Sequence, residues 1–330
     1  MLQDISSLGH QDSFTCEEDV IAALALWWGI DYELIFYNSW GFYYYPLKVN
    51  QGAKLGTRIR NGDYDAFVNL KKFYGINSKM MYRECKEKQW GTLLSELALN
   101  CPVCIVMDPF YAYWTDRYKY LHGNHSFLAV GFDKDSDSVN CVDPSFNLDR
   151  SIKILSRSDF VNGNGLCRLV SRGEQEDLNI NWREFLGDIV SKQHGLVEGK
   201  NIFESIREFA RDMKQNMDME LEIQGHEEFS YYAPIFVQLW IIAYGRKKFG
   251  KMLEYLGRTF TVNRLFEESE ALGEIKERWM GVIFELLELL KPCSDFDSKS
   301  IINSASEKIM QLAFDEEAIS NNLLKLCKSA

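Results

Sequence analysis

The stretch 125-HSFLAVGFDKDSDSVNCVDP-144 decides the fold class of this 330-residue chain. Two apolar runs flank the polar segment 133-DKDSD-137, and this pattern predicts a β-hairpin. In an antiparallel hairpin the start of one strand lies beside the end of the other. We therefore expect His125 and Asp143 at one edge of a sheet, where the carboxylate can orient the imidazole. The alternative is a surface histidine near a turn aspartate.

A second stretch, 10-HQDSFTCEEDVIAALALWW-28, predicts an amphipathic helix that begins beside Cys16. Thr15 and Glu18 have the spacing of a capping box, which places the cysteine in the first helical turn. Free N–H groups and the helix dipole favour a thiolate there, and the thiolate is the reactive form of cysteine. The same N–H groups can stabilise an oxyanion, with the Gln11 side-chain amide as a second donor. The alternative for Cys16 is an ordinary small residue at a helix start.

Together these residues predict nucleophilic acyl transfer, with Cys16 as nucleophile, His125 as base and Asp143 as the group that orients the histidine. An enzyme thioester is attacked by an amine instead of water where the amine is positioned and water is excluded.

Aromatic residues and one further carboxylate are candidates for binding the substrate. The aromatic candidates are Trp40, Tyr43, Tyr111 and Trp114, and Asp108 is the candidate for binding an amine. The alternatives are core packing for the aromatic residues and a turn-starting role for Asp108.

The chain divides into two halves by its pattern of apolar residues. Residues 1–170 mix short strand-like runs with helical ones, and residues 171–330 carry apolar residues at helical spacing. The helical spacing is clearest in 202–217, 235–257 and 267–290. We therefore predict an α+β fold, with an all-α C-terminal domain that begins within the polar segment 171–179.

Composition excludes several classes of partner. The net charge of −11 argues against binding to nucleic acid or to an anionic membrane surface. The N-terminus lacks the features of a secretory signal, and no apolar run is long enough to span a membrane. We expect a cytoplasmic protein whose eight cysteines are reduced thiols.

The order and context of these motifs resemble the butirosin-biosynthesis acyltransferase N-terminal-domain family, a C39-like group of papain-fold enzymes. The matching stretches are 10-HQDSFTCEED-19, 102-PVCIVMDPFYAYW-114, 122-HGNHSFLAVGFD-133 and 140-NCVDPSF-146. The resemblance implies a papain-like N-terminal domain that moves an acyl group from a carrier-protein thioester through a cysteine thioester to a small amine. It includes amide synthases of the closthioamide type, and so implies nonribosomal peptide or other antibiotic biosynthesis. The implied partner is an acyl or peptidyl carrier protein that presents the substrate as a phosphopantetheine thioester, with no other cofactor and no metal.

One position departs from the pattern of this group. In related papain-like peptidases the oxyanion glutamine usually lies six residues before the cysteine, where this chain has His10. Gln11 follows one residue later, which leaves the second oxyanion donor open.

Three other interpretations compete with acyl transfer. The first is a C39-like cysteine peptidase with the same three residues. The second is a zinc site formed by the pairs Cys101/Cys104 and His122/His125, although the pairs have unfavourable spacing. The third is a non-catalytic interaction protein. The helical half is a candidate substrate lid, homodimer interface or carrier-docking face. Its basic residues 246–248 and Lys251 are a candidate patch for docking, and the alternative for them is a solvated helix face.

Overall fold

The computed structural model describes residues 5, 10–46, 54–133, 135–146, 151–173, 180–196, 199–291 and 297–329. The chain forms two compact units. The first unit comprises Met1–Ile35 and Asp65–Leu178, and the second comprises Phe36–Tyr64 and Asn179–Ala330.

The strands and helices are numbered in chain order. The strands are β1 (Tyr43–Tyr44), β2 (Ile59–Arg60), β3 (Ile76–Met80), β4 (Val103–Met107), β5 (His125–Asp133), β6 (Ser138–Val142), β7 (Lys153–Ser156) and β8 (Leu166–Arg172). The α-helices are α1 (Cys16–Trp28), α2 (Ala66–Tyr74), α3 (Lys86–Ala98), α4 (Arg157–Asn162), α5 (Trp182–His194), α6 (Ile202–Asn216), α7 (Met219–Ile223), α8 (Pro234–Phe260), α9 (Arg264–Glu288) and α10 (Ser298–Lys328).

The first unit contains a six-stranded sheet in the order β3-β8-β4-β5-β6-β7. Every neighbouring pair in this sheet is antiparallel. Apolar side chains of the central strands pack with Trp90 and Leu93 of α3 and Phe160 of α4, forming the hydrophobic core on that side. The strands that carry the site are thus held by packing on that side of the sheet.

The predicted hairpin is confirmed as β5 and β6, which pair from Leu128↔Val142 to Asp133↔Ser138. The register shifts between Ala129 and Gly131, a bulge that the sequence pattern did not reveal. A one-residue shift of register exchanges the faces of the side chains beyond it. The bulge therefore helps to determine how His125, the first residue of β5, is oriented relative to the end of β6.

The predicted start of α1 is also confirmed. The Thr15 hydroxyl accepts a hydrogen bond from the Glu18 N–H at 3.3 Å, and the Glu18 carboxylate accepts one from the Thr15 N–H at 2.6 Å. The helix ends at Gly29, whose φ of 63° is left-handed and is tolerated best by glycine. Cys16 is consequently the first residue of the helix.

The second unit is mainly helical, but it is not all-α. It includes the short antiparallel pair β1–β2 from the segment 36–64, which the sequence pattern had placed with the N-terminal half. Phe42 of this segment is fully buried and stacks on Trp279 of α9, with ring centroids 6.1 Å apart. The segment packs with helices distant in sequence, so a boundary drawn from the composition of neighbouring residues misses it. The α+β class is confirmed, whereas a papain-like fold stays a prediction.

The helices predicted over 202–217, 235–257 and 267–290 are confirmed as α6, α8 and α9. The linker expected within 171–179 falls partly on residues 174–179, which lie outside the described residues.

The basic patch expected on α8 is wrong for two of its members. Arg246 is 0% exposed and Lys248 is 5% exposed. The Arg246 guanidinium donates to Glu316 at 2.8 Å and to the Gly41 carbonyl at 2.8 Å. Arg246 belongs to the interior of the second unit because a buried carboxylate compensates its charge.

Within the described ranges no helix is long and apolar enough to cross a membrane. The seven cysteines in those ranges are free thiols.

Candidate active site

The structure brings the three predicted catalytic side chains together within the first unit. The half-buried Cys16 thiol and the His125 ring line the same cleft and interact electrostatically. Nε2 of the ring lies 2.7 Å from Oδ2 of Asp143. The cysteine comes from the start of α1, the histidine from the start of β5, and the aspartate from the residue after β6. A thiol, an imidazole and a carboxylate in this order can generate a thiolate and hold the resulting imidazolium.

Asp143 is held from several sides and is 0% exposed. Trp114 donates its indole N–H to Oδ2 at 2.7 Å, and the Ser145 N–H donates to Oδ1 at 3.2 Å. With the contact to His125, both carboxylate oxygens have partners. The Trp114 indole also packs edge-on against Phe127, with ring centroids 5.3 Å apart. This contact helps to hold the indole beside the carboxylate.

His125 is buried between aromatic rings, with Phe146 edge-on at a centroid distance of 5.1 Å and Phe127 at 5.8 Å. Burial disfavours the charged imidazolium, but hydrogen bonds to Asp143 and Cys16, with their charges, outweigh it and raise the pKa of His125 to about 9. The imidazolium is thus the favoured form of His125 at neutral pH.

Cys16 lies in the lining of a cleft of about 350 Å³. The cleft is lined by His10, Cys16, Arg117, Asn124, His125, Ser145 and Phe146. Most of the lining residues are polar, and they include one guanidinium and two imidazoles. A polar substrate or an anionic group can therefore approach the thiol.

A second histidine–carboxylate pair lies in this cleft. Nδ1 of His10 is 2.7 Å from Oδ2 of Asp19, a buried residue one turn after Cys16 on α1. Asp19 also accepts a hydrogen bond from the Gln11 N–H at 3.1 Å and from the Ser145 hydroxyl at 2.9 Å. Burial is the largest influence on Asp19 and raises the pKa of its carboxyl above the ordinary value, against these hydrogen bonds, which lower it.

Residues 15–144 match the family model described as butirosin biosynthesis protein H, N-terminal. Residues 15–144, less than half of the chain, are thus similar to that family. The family is the one that the sequence motifs indicated, and the matched residues include Cys16, His125 and Asp143. No curated protein matches the chain.

Gln11, the expected oxyanion donor, lies just before the matched segment. Its backbone N–H donates to Asp19, and His10 instead contributes its side chain to the lining of the cleft. Beside it, Ser13 has a φ of 81°, in the left-handed region, and its buried hydroxyl has no hydrogen-bond partner among the residues that the structure describes. The loop before Cys16 is therefore strained at one residue and fastened to Asp19 at two others.

Asp108 lies outside the residues that line the cleft. Its Oδ1 accepts hydrogen bonds from the N–H groups of Phe110 and Gly123, and its Oδ2 lies 2.6 Å from Nδ1 of His122. The carboxylate thus closes the loop between β4 and β5, which is the structural alternative to binding an amine. Tyr111, in the same loop, packs against the hydrophobic core of the first unit.

Trp40 and Tyr43 belong to the second unit and not to the lining of the cleft. The Trp40 indole is buried and donates to Glu316 at 2.7 Å. Tyr43 pairs with Arg60 in the β1–β2 ladder. Both residues take the core or sheet role that was the alternative for them. Trp114, the fourth aromatic candidate, contacts the site directly, because its indole N–H donates to Asp143.

The residues of the zinc interpretation have other partners. His122 pairs with Asp108 and His125 with Asp143, while Cys104 is fully buried. In the part of the chain that the structure describes, no group of three or more suitable side chains is placed to hold a metal ion.

Proposed function

We propose that the protein is a cysteine-dependent acyltransferase that forms amides. It moves an acyl group from a carrier-protein thioester to the Cys16 thiol and from there to a small amine. The family matched by residues 15–144 implies an acyltransferase-like biosynthetic enzyme. The observation that carries the proposal is the chain of contacts from the Cys16 thiol through His125 to Asp143, beside an open cleft.

The chemistry follows from the positions of these groups. The Cys16 thiolate attacks the carbonyl carbon of the donor thioester, and the tetrahedral intermediate collapses by breaking the bond to the pantetheine sulfur. The His125 imidazolium gives its proton to this leaving thiolate. In the second half-reaction the amine attacks the enzyme thioester, the neutral imidazole accepts the amine proton, and the Cys16 thiolate leaves. Asp143 holds the ring in one orientation through both steps.

The donor is proposed to be a phosphopantetheine thioester because its long arm can reach a thiol in a cleft while the carrier protein stays outside. Arg117 in the cleft lining provides a positive charge for an anionic group of the donor. A cytoplasmic site of action in antibiotic or nonribosomal peptide biosynthesis, and a homodimer through the helical unit, remain parts of the proposal.

Intact-mass spectrometry tests the proposal most directly. The protein is mixed with an acyl-pantetheine or an acyl-carrier thioester, and an amine is added afterwards. The expected result is a gain in protein mass equal to the mass of the acyl group. This gain should disappear when the amine is added, and the corresponding amide should be found in solution. Cys16→Ala should show no gain. Cys85→Ala is the matched control, because it removes an exposed thiol at the start of α3, and it should acylate normally.

Two further outcomes decide between mechanisms. We expect His125→Ala to lose nearly all turnover because the acid–base group is missing, and Asp143→Asn to retain some. If no thioester acylates the protein but a peptide is cleaved in a Cys16-dependent way, the chain is a peptidase and the acyltransferase proposal is wrong.

A further inference from the structure

The tetrahedral intermediate of acyl transfer carries a negative charge on the former carbonyl oxygen, which needs hydrogen-bond donors. One donor is the backbone N–H at the start of α1, because the first N–H groups of a helix have no partner within the helix. A second donor has to come from a side chain in the cleft beside Cys16. Gln11, the residue expected from the sequence, does not contribute to the cleft lining, whereas His10 does.

We propose that His10, in its protonated form, donates its Nε2–H to this oxyanion, and that Asp19 is the residue that positions it. This inference rests on the proposed function. The proton balance is simple, since His10 keeps both of its protons throughout and only stabilises charge. All proton transfers remain with His125.

The hydrogen bonds of Asp19 determine the state of the His10 ring. The Asp19 carboxylate contacts the Gln11 N–H, the Ser145 hydroxyl and the His10 ring. In its ionised form it can accept a hydrogen bond from each of the three. Nδ1 of His10 therefore carries a proton toward Asp19. Nε2 is the ring nitrogen that remains to face the cleft.

Asp19 also connects the parts of the site mechanically. It sits one turn after the nucleophile on α1, and its contacts reach both the loop before Cys16 and the turn after Asp143. Ser145 joins the two carboxylates, because its hydroxyl donates to Asp19 and its N–H donates to Asp143. A single buried carboxylate thus sets the position of His10 relative to the cysteine and the base. The titratable or charged groups around the His10 ring are Asp19 on α1 and, in the cleft, Arg117, Cys16 and His125.

Comparing acylation with alkylation of Cys16 distinguishes stabilisation of the oxyanion by His10 from a purely structural role of this residue. Acylation by an acyl-pantetheine thioester passes through an oxyanion, whereas alkylation by iodoacetamide displaces iodide without forming one. We expect His10→Ala to lower the maximal rate of acylation about 100- to 1,000-fold, with little change in the half-saturating thioester concentration. The rate of Cys16 alkylation, followed in the peptide that contains it, should stay within about twofold of wild type.

Glutamine at position 10 distinguishes a donor from a base. Its amide can donate a hydrogen bond but cannot take a proton at neutral pH, so His10→Gln should recover at least about tenfold over His10→Ala. Asp19→Asn should slow acylation more in the His10 protein than in the His10→Gln background, because only the first has the imidazole that Asp19 positions. His122→Gln alters the other histidine–aspartate pair of this unit, outside the cleft, and is the matched control that should acylate normally.

The results that overturn the inference are distinct from failure of the proposed function. If wild type is acylated and His10→Ala is acylated at the same rate, His10 has no part in the chemistry. If acylation and alkylation fall together, the role is structural, and if Gln11→Ala causes the larger loss, the donor is Gln11. If no thioester acylates the wild-type protein, the proposed function fails and this inference fails with it.

Discussion

Raising the pH should weaken the first unit because its folded form holds His125 as an imidazolium. The pKa of His125 is raised from its ordinary value of 6.5 to about 9. Each pH unit between the unfolded and folded values corresponds to about 1.4 kcal/mol, so the buried pairing contributes about 3 kcal/mol to the free energy of unfolding. Since the folded pKa is the higher one, this contribution is complete below pH 6.5 and is lost as the pH rises through about 9. Roughly 2 kcal/mol of it should disappear between pH 6 and pH 8.5.

The assay is urea unfolding at pH 6 and pH 8.5, read by hydrogen exchange in the peptide that covers β5 and β6. That peptide reports on the unit that contains His125 and Asp143. Burial raises the pKa of Cys104 and Cys141, so ionisation of these thiols also favours unfolding as the pH rises. The measurement stops at pH 8.5 to limit this contribution, which is common to wild type and the control variant.

His125→Gln is the matched control, because its amide can still donate to Asp143 but does not titrate in this range. The quantity to compare is the difference in unfolding free energy between the two pH values, not the stability of either variant. If wild type loses no more between pH 6 and pH 8.5 than His125→Gln does, the folded protein does not hold an imidazolium, and the reasoning from Asp143 and Cys16 is refuted.

Three further substitutions test other parts of the structure. Trp114→Phe removes the indole hydrogen bond to Asp143 but keeps an aromatic ring, and the rate of Cys16 acylation should be about tenfold lower. An unchanged rate would mean that the indole contributes only by packing. Ser13→Gly should raise the free energy of unfolding by about 1 kcal/mol in urea titrations, since it relieves a left-handed φ and removes a buried hydroxyl that has no partner among the described residues; destabilisation would show that the hydroxyl has a partner in solution. Glu316→Gln leaves the buried Arg246 uncompensated and should cost about 3–5 kcal/mol in thermal or urea unfolding, which a loss below about 1 kcal/mol would contradict.

Local patterns gave the parts of the site that depend on near neighbours in the chain. The capping box of Thr15 and Glu18 placed Cys16 at the start of α1, since it involves hydrogen bonds across three residues. The turn after Asp133 gave the hairpin, and antiparallel pairing then placed His125 near Asp143. Helical spacing likewise found α6, α8 and α9, because burial of one face repeats every turn.

Patterns along the chain failed where a side chain has a partner far away in sequence. Asp108 and Trp40 looked like pocket residues because they are polar or aromatic, yet one closes a loop and the other donates to Glu316, 276 residues later. Arg246 looked like surface charge, and only its buried carboxylate partner explains why it lies inside. Residue type alone does not say whether such a partner exists.

The sequence by itself determined that a cysteine begins a capped helix and that a histidine and an aspartate share the edge of a hairpin, because these features depend on hydrogen bonds between residues close in the chain. Only the tertiary structure decided that the thiol meets the imidazole more than 100 residues away, that Trp114 covers Asp143, and that His10, held by Asp19, lines the cleft in place of Gln11. Those contacts depend on how α1 packs against the sheet and on a register shift inside β5, and neither is encoded in the spacing of a few residues.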